Sequence, residues 1–376
     1  MSMRELTYQV SFNTPAFLGN SEQQAQWRTP PFKALLRQWW RVVKAPEVGY
    51  DYGLLLTLEN ALFGSAGDDS GGGRSKVQLR LADWSPGSMS QRPALQRVDH
   101  PETKTRDGRP IRPDADVYLG FGPITLEGMR SAIAPEAPTV ILKLRCPASD
   151  ENALRKAMQL AAWFGTVGSR ARNGWGSLNI DGAGLLGIEG LCDSRLADQA
   201  PPRSLTAALT DRLAADWPHA LGLCADGRPA VWRVVADRQL NADGKTVFTG
   251  FKEWKNVLER LAALKIGFRT QFKLNSGAPH SRVEDRHILA YPVTNHGLAG
   301  LPNARLASQM RFKVTKNKEG QYFGLITHLP CAMPQAFFKP GNVKPPEVKR
   351  QIEVWQQVHD FLSAQPATLI TRLRKG

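Results

Sequence analysis

Residues 5–18 read ELTYQVSFNTPAFL, and residues 30–45 read PPFKALLRQWWRVVKA. The first stretch alternates apolar and polar positions and predicts a strand. Pro30-Pro31 opens the second, a predicted helix over 31–45. Its apolar residues Phe32, Leu35, Leu36, Trp39 and Val43 recur at helical spacing and mark the buried side. Lys33, Arg37, Arg41 and Lys44 fall within roughly 80° of one another and share a second side. Trp40 is expected beside that basic stripe and Trp39 in the core.

Working outward, the strand and helix rhythm continues. Residues 64–76 (GSAGDDSGGGRSK) predict a flexible loop and residues 77–81 a strand. Residues 85–116, rich in Pro, Arg, Asp and Gly, predict a long mobile insertion. An apolar run follows at 117–122, then a strand at 139–145 (TVILKLR), a helix at 151–164, a glycine-rich turn at 165–176 (GTVGSRARNGWG) and a short strand at 177–180. After a linker over 181–229, with a weak helix near 204–216, the rhythm repeats. A strand at 230–236 and a helix at 252–264 come first. A basic loop at 269–287, a hairpin at 307–330 and a helix at 346–363 follow. The order βαββαβ, met twice, predicts an α+β chain of two ferredoxin-like (RRM-like) domains with long insertions. The expected divisions are residues 1–190, with an insertion at about 50–116, and residues 191–376.

The composition narrows the function. Forty-nine Lys and Arg against 34 Asp and Glu give a net charge of +15. Such a balance favours a polyanionic partner. Residues 1–190 carry 22 basic and 19 acidic residues, so most of the excess lies in the second half. Two stretches of the first half are nevertheless free of acid: 23–46, with five basic residues, and 152–180, with four. No apolar run reaches the length of a membrane span. Residues 1–10 lack an apolar signal core, which predicts a cytoplasmic protein. Cys146, Cys192, Cys224 and Cys331 are scattered, without CxxC pairs or zinc spacing, and predict buried thiols. No segment fits GxxxxGK[ST], and the glycine-rich turn follows a helix and precedes a strand, the reverse of a dinucleotide fingerprint. No cofactor or metal is expected.

The candidate site is an RNA surface. Gly168 and Gly174 allow close backbone approach around Arg170 and Arg172, and Trp175 is expected to stack on a base. Arg74 and Lys76 border the first glycine-rich loop. With Lys33, Arg37, Trp40, Arg41 and Lys44 they complete the expected RNA-binding set.

Several motifs, in order, resemble RAMP-superfamily proteins of type III CRISPR effectors, and within them the family of the first-named RAMP subunit of the type III-B (Cmr) complex. They are Thr14-Pro15-Ala16-Phe17-Leu18-Gly19, then Leu36-Arg37-Gln38-Trp39-Trp40-Arg41, Leu62-Phe63-Gly64 with Ser75-Lys76-Val77, Tyr118-Leu119-Gly120-Phe121-Gly122, Gly165 to Gly176, and Arg305 to Pro330. The resemblance implies two ferredoxin-like domains and a place in a ribonucleoprotein. Guide (CRISPR) RNA, target RNA and other RAMP subunits would be its partners, with guide contact near the 3′ side.

Two other readings stay open. One is a metal-independent RAMP endoribonuclease. Its bases would come from the seven histidines, His280 and His287 in the basic loop foremost, or from Asp83, Asp99, Asp107, Asp114 or Asp116 if the insertion folds over RNA. The other is a protein scaffold. The expectation is a non-catalytic subunit.

Overall fold

The computed structural model describes residues 2–49, 51–65, 73–188, 232–240, 242–244, 246–275, 277, 279–329, 332–341, 343–365 and 369–370. The expected domain boundary near 190, the weak helix at 204–216, Cys192, Cys224, Cys331 and His219 lie outside the described residues.

In the first half, β1 (Met3–Phe12), α1 (Thr29–Lys44), β2 (Gln78–Leu81), β3 (Val140–Pro147), α4 (Glu151–Phe164) and β4 (Leu178–Gly182) follow one another. Between them lie α2 (Tyr52–Phe63) and α3 (Ala115–Gly120). The antiparallel sheet has the order β2-β3-β1-β4, the ferredoxin-like arrangement of a βαββαβ chain. Strand alternation sends Leu6, Tyr8, Val10 and Phe12 of β1, with Leu142 and Leu144 of β3, to one face. There they join Leu36 and Trp39 of α1 and Met158 and Phe164 of α4 in one core, with the Trp39 and Phe164 rings 5.9 Å apart.

The second half repeats the plan. β5 (Trp232–Val235), α5 (Trp254–Thr270), β8 (Met310–Lys316), β9 (Tyr322–His328), α8 (Val348–Ser363) and β10 (Leu369–Ile370) build a sheet of order β10-β5-β9-β8. A hairpin of β6 (Asp237–Leu240) and β7 (Thr246–Thr249) is inserted after β5, and the short helices α6 (Asp285–Leu289) and α7 (Gln335–Phe338) lie in the connections. Both halves therefore carry the expected topology.

The two halves stack. Met310, Phe312, Val314 and Ile326 face α5 and α8 within the second core. Val234, Phe323 and Leu325, on the other side of the same sheet, belong to the first core with α4. Lys313 is buried on that side, and its ammonium donates to the Ala162 carbonyl near the end of α4. Burial pushes its pKa down to about 7.

Two expectations need correction, and one apolar run gains an assignment. Residues 52–63 form a helix inside the expected insertion. YGLLLTLENALF is apolar nearly all round and hides the period, but Asp51 caps it by accepting from the Leu54 N–H at 2.7 Å. The apolar run at 117–122 overlaps helix α3. Residues 85–116 are docked rather than mobile. The Arg286 guanidinium grips Glu102 with two bonds of 2.6 Å, and the Gln96 N–H donates to Glu259 of α5 at 2.9 Å. Among the described residues no helix is long and apolar enough to cross a membrane.

Candidate nucleic-acid interface

The basic stripe of α1 forms as expected, but its charge is answered. Glu59 of α2 is 1% exposed and points back between Arg37 and Arg41, accepting at 2.6 Å from Arg37 Nε and 2.7 Å from Arg41 Nη2. Burial alone would raise its carboxyl. Hydrogen bonds and charge from Arg41 and Arg37 outweigh that and hold its pKa below the ordinary value. Lys33 donates to the Phe63 carbonyl at 3.1 Å, and Lys44 pairs with Glu47. Trp40 is 1% exposed and packs edge-on against Phe63 at 5.5 Å. Its expected place in the RNA-binding set is corrected: α2 covers the side of α1 on which it projects.

The glycine-rich turn is a seam between the halves. β8 is an edge strand, and the Phe312 N–H donates to the Arg172 carbonyl at 3.0 Å while the Val314 N–H donates to Ser177 Oγ at 2.9 Å. Asn13 Nδ2 adds a bond to the Val314 carbonyl at 3.1 Å. Gly168 has φ +93°, and a Cβ there would lie 2.7 Å from the Phe17 carbonyl oxygen. Gly174, at φ +90°, would meet Leu258 of α5 at 2.8 Å. These glycines serve chain packing rather than a ligand. Trp175 is fully buried between Phe17 at 5.6 Å and Trp254 at 6.4 Å, so its expected stacking role is corrected as well. Arg172 donates to the Ser308 carbonyl at 2.9 Å. Arg170 remains exposed.

A different surface gathers exposed cations. The face of the first sheet opposite α1 and α4 carries no helix. Register places Arg80 of β2 directly across from Lys143 of β3, and Gln78 across from Arg145. All four are exposed, as are Arg74 and Lys76, which lead into β2. Lys143 shares Glu5 at 3.1 Å. Arg74, Lys76, Arg80 and Arg145 carry no ion pair among the described residues. Like charges directly opposed across a sheet cost stability, and an anion laid over them offsets that cost. Trp84, three residues beyond β2, is 51% exposed. Arg80, Lys143, Arg145 and Trp84 were absent from the expected set. The signal for the β3 pair was present, because Lys143 and Arg145 occupy alternate positions of TVILKLR.

The candidate acid-base groups are held in structural bonds. His287 is buried, accepts from the Glu284 N–H at 3.0 Å through Nδ1 and contacts the His296 carbonyl at 2.8 Å through Nε2. Both contacts hold together only in the neutral ring, and burial first lowers its pKa. His280 is buried against His296 at 3.0 Å. Asp116 is buried and bound to Arg92 at 2.9 Å, which also holds Asp114 at 2.8 Å. Asp99 pairs with Arg112 at 2.7 Å, Asp107 with Arg109 at 2.9 Å, and Asp83 bonds Ser85. Among the described residues no group of three or more His, Cys, Asp and Glu side chains is placed to hold a metal ion.

His328 and His359 form a buried pair at 2.9 Å, with His328 stacked 4.3 Å from Trp355. Burial, followed by Arg233, pushes His359 down to about 3; burial and His359 push His328 well below its ordinary value. Both fold as neutral rings, and the unfolded chain binds the extra protons. Their contribution is complete above about pH 6.5 and is lost as pH falls toward the folded values. By about pH 5.5 each should cost about 1 kcal/mol, read as a lower urea midpoint than at about pH 7.5. An unchanged midpoint would contradict a neutral buried pair.

Residues 12–179 match the model of the RAMP superfamily. That stretch runs from the end of β1 to the start of β4. Among solved structures, the chain is similar to Cmr1 from Pyrococcus furiosus in its apo form, at 16% identity over 97% of each chain with a TM-score of 0.46. It is also similar to a chain of the type III-B Cmr-beta complex bound to cognate target RNA, at 10% identity over 96% of this chain and 99% of that one, TM-score 0.41. A chain of a type IV-B CRISPR complex matches 49% of this chain and 92% of its own length, at 11% identity and TM-score 0.28. No curated protein matches.

Proposed function

We propose that the chain is an RNA-binding, non-catalytic subunit of an RNA-guided, type III-B-like CRISPR effector, contacting guide RNA near its 3′ side and helping to capture target RNA. Other RAMP subunits are its protein partners. The run of RAMP motifs and the family match over residues 12–179 support the assembly. The observation that carries RNA binding is the open sheet face with Arg74, Lys76, Arg80, Lys143 and Arg145. Its strands expose no aromatic ring, so it suits a phosphate backbone rather than base edges, and base identity is left to guide–target pairing.

Charge reversal of Arg80 and Arg145 to Glu tests this. Both are exposed on a face without helices, so the fold should survive. Affinity for single-stranded RNA should fall by about tenfold or more, and the slope of log K against log salt should shrink by about 1.4, the value for two lost phosphate contacts on a single strand. Unchanged affinity and slope would remove this face from the RNA path. Recovery of repeat-tagged guide RNA and RAMP subunits with the tagged chain from its host tests the assembly.

A further inference from the structure

The exposed end of the glycine-rich turn, α3 and α5 come together around Lys265. Lys265 of α5 is half-buried there, its Nζ 2.7 Å from Asn173 Oδ1 and 5.6 Å from the centre of the Tyr118 ring. Asn173 is fixed by a 2.7 Å bond from its Nδ2 to the Leu119 carbonyl. Arg269, one turn further along α5, is half-buried beside Tyr118. Arg170 approaches from the first domain. Its Nε donates to the Phe121 carbonyl at 2.6 Å and its guanidinium lies over Gly122, where a Cβ would stand 3.4 Å from Nη2.

Three cations from two domains therefore converge. The charges felt by Lys265 are those of Arg269 and Arg170, both of its own sign. Glu102, the nearest carboxylate to Arg269, is already taken by Arg286 and Lys273. Burial first, then Arg269 and Arg170, pushes Lys265 down to about 7. Such a cluster is poorly stable when empty and gains most from a bound anion. Beside it the ring of Phe121 is 66% exposed. Cations next to a bare aromatic face suit a nucleotide, with phosphate and base in reach together, better than a carboxylate.

We propose that this cluster clamps one nucleotide of the bound RNA, with Arg170, Lys265 and Arg269 on the phosphodiester and Phe121 stacked on the adjoining base. The inference rests on the RNA-binding reading above and adds a second contact, independent of the sheet face.

A consequence separates it from ordinary phosphate binding. The phosphate raises the pKa of Lys265, so binding draws a proton onto it. Affinity is full below about pH 7 and falls as pH rises through the free value, by up to about tenfold per unit. The neighbours do not titrate in that window. The His100 ring, 5.9 Å from Tyr118, has its pKa lowered by burial, and burial raises the Tyr118 phenol. The guanidinium groups of Arg170, Arg269 and Arg286 are the other cations nearby, and Glu102 is ionised, its carboxyl lowered first by its bond to Arg286.

The test is fluorescence anisotropy of the full chain with a labelled single-stranded RNA of mixed sequence, from about pH 6.5 to about 8.5 at fixed salt. Wild-type affinity should fall by about tenfold or more across that range. Lys265→Arg should bind like wild type at the acid end and lose the slope. Lys265→Gln should bind more weakly with no slope, which guards against misfolding of the arginine variant. Phe121→Ala should lose about tenfold at every pH and keep the slope. Wild-type binding without a pH slope, or a slope that survives in Lys265→Arg, overturns the clamp while leaving the RNA reading intact. A slope with undiminished affinity in Phe121→Ala also overturns it, leaving a phosphate contact with no base stacked on the ring. RNA that fails to bind at any pH defeats the underlying reading instead.

Discussion

Trp175→Ala should lower the stability of the chain by about 3–5 kcal/mol, the cost of deleting a buried aromatic side chain and leaving part of its volume empty. The indole is fully buried where the glycine-rich turn enters the second core, in contact range of Phe17 from one half and Trp254 from the other. Its loss loosens the seam as well as the core. Gly120, Gly174 and the edge strand β8 close around the same point, so the cavity has little freedom to collapse. Two measurements belong together: the urea midpoint, which should fall, and RNA affinity of the folded fraction, which should stay within about threefold because no base reaches the ring. A tenfold loss of affinity at unchanged stability would return Trp175 to the RNA surface.

That contrast shows how far the residues speak for themselves. Strand alternation and helical spacing depend on neighbours in sequence, and they foretold both βαββαβ halves, including the 307–330 hairpin. Helix α2 escaped because Leu54, Leu55, Leu56 and Leu58 blur the 3.6-residue period; Leu55 is buried, while Leu54 is 50% exposed. Burial of a given tryptophan depends on elements distant in sequence. Trp39 lies on the apolar stripe of α1 and was legible; Trp40 lies off it and is covered by a helix that the pattern did not reveal. Charge fails in the same way. A window of basic residues free of acid looks unbalanced until the fold brings Glu59 to Arg37 and Arg41. What remains uncompensated, Arg80, Arg145, Arg170 and Lys265, is a remainder visible only after such pairs are set aside. Arg170 alone of these four was expected at the site.

The architecture also explains how one chain presents both proposed RNA surfaces. The second sheet packs on α4 of the first half, while the far face of the first sheet carries no helix. The glycine-rich turn must cross from one half to the other to satisfy the edge of β8. In doing so it carries Arg170 to within the influence of Lys265 of α5.

Glu59→Ala should be the second severe substitution, with a loss of about 3 kcal/mol. Removing one partner of a buried ion pair strands the other charge, at a cost of 3–5 kcal/mol when both are enclosed. Here the arginine side chains keep 32% and 25% of their exposure, so water recovers part of that cost. Glu59→Gln should lose less, because the amide oxygen still accepts from one guanidinium. The folded carboxyl is held below its ordinary pKa, so the stabilisation is present above about pH 4.5 and is lost as pH falls through the folded value. The wild-type advantage over Glu59→Ala, measured by urea titration, should therefore be full at neutral pH and narrow in acid. The same variant decides what the α1 stripe does. With Glu59 in place, Arg37→Ala should leave RNA affinity nearly unchanged, since that guanidinium is already satisfied. Without Glu59, two freed cations should steepen the salt dependence of RNA binding by up to about 1.4. If Arg37→Ala instead costs tenfold in affinity while Glu59→Ala leaves the salt slope alone, the stripe binds RNA directly and the carboxylate orients it rather than neutralising it.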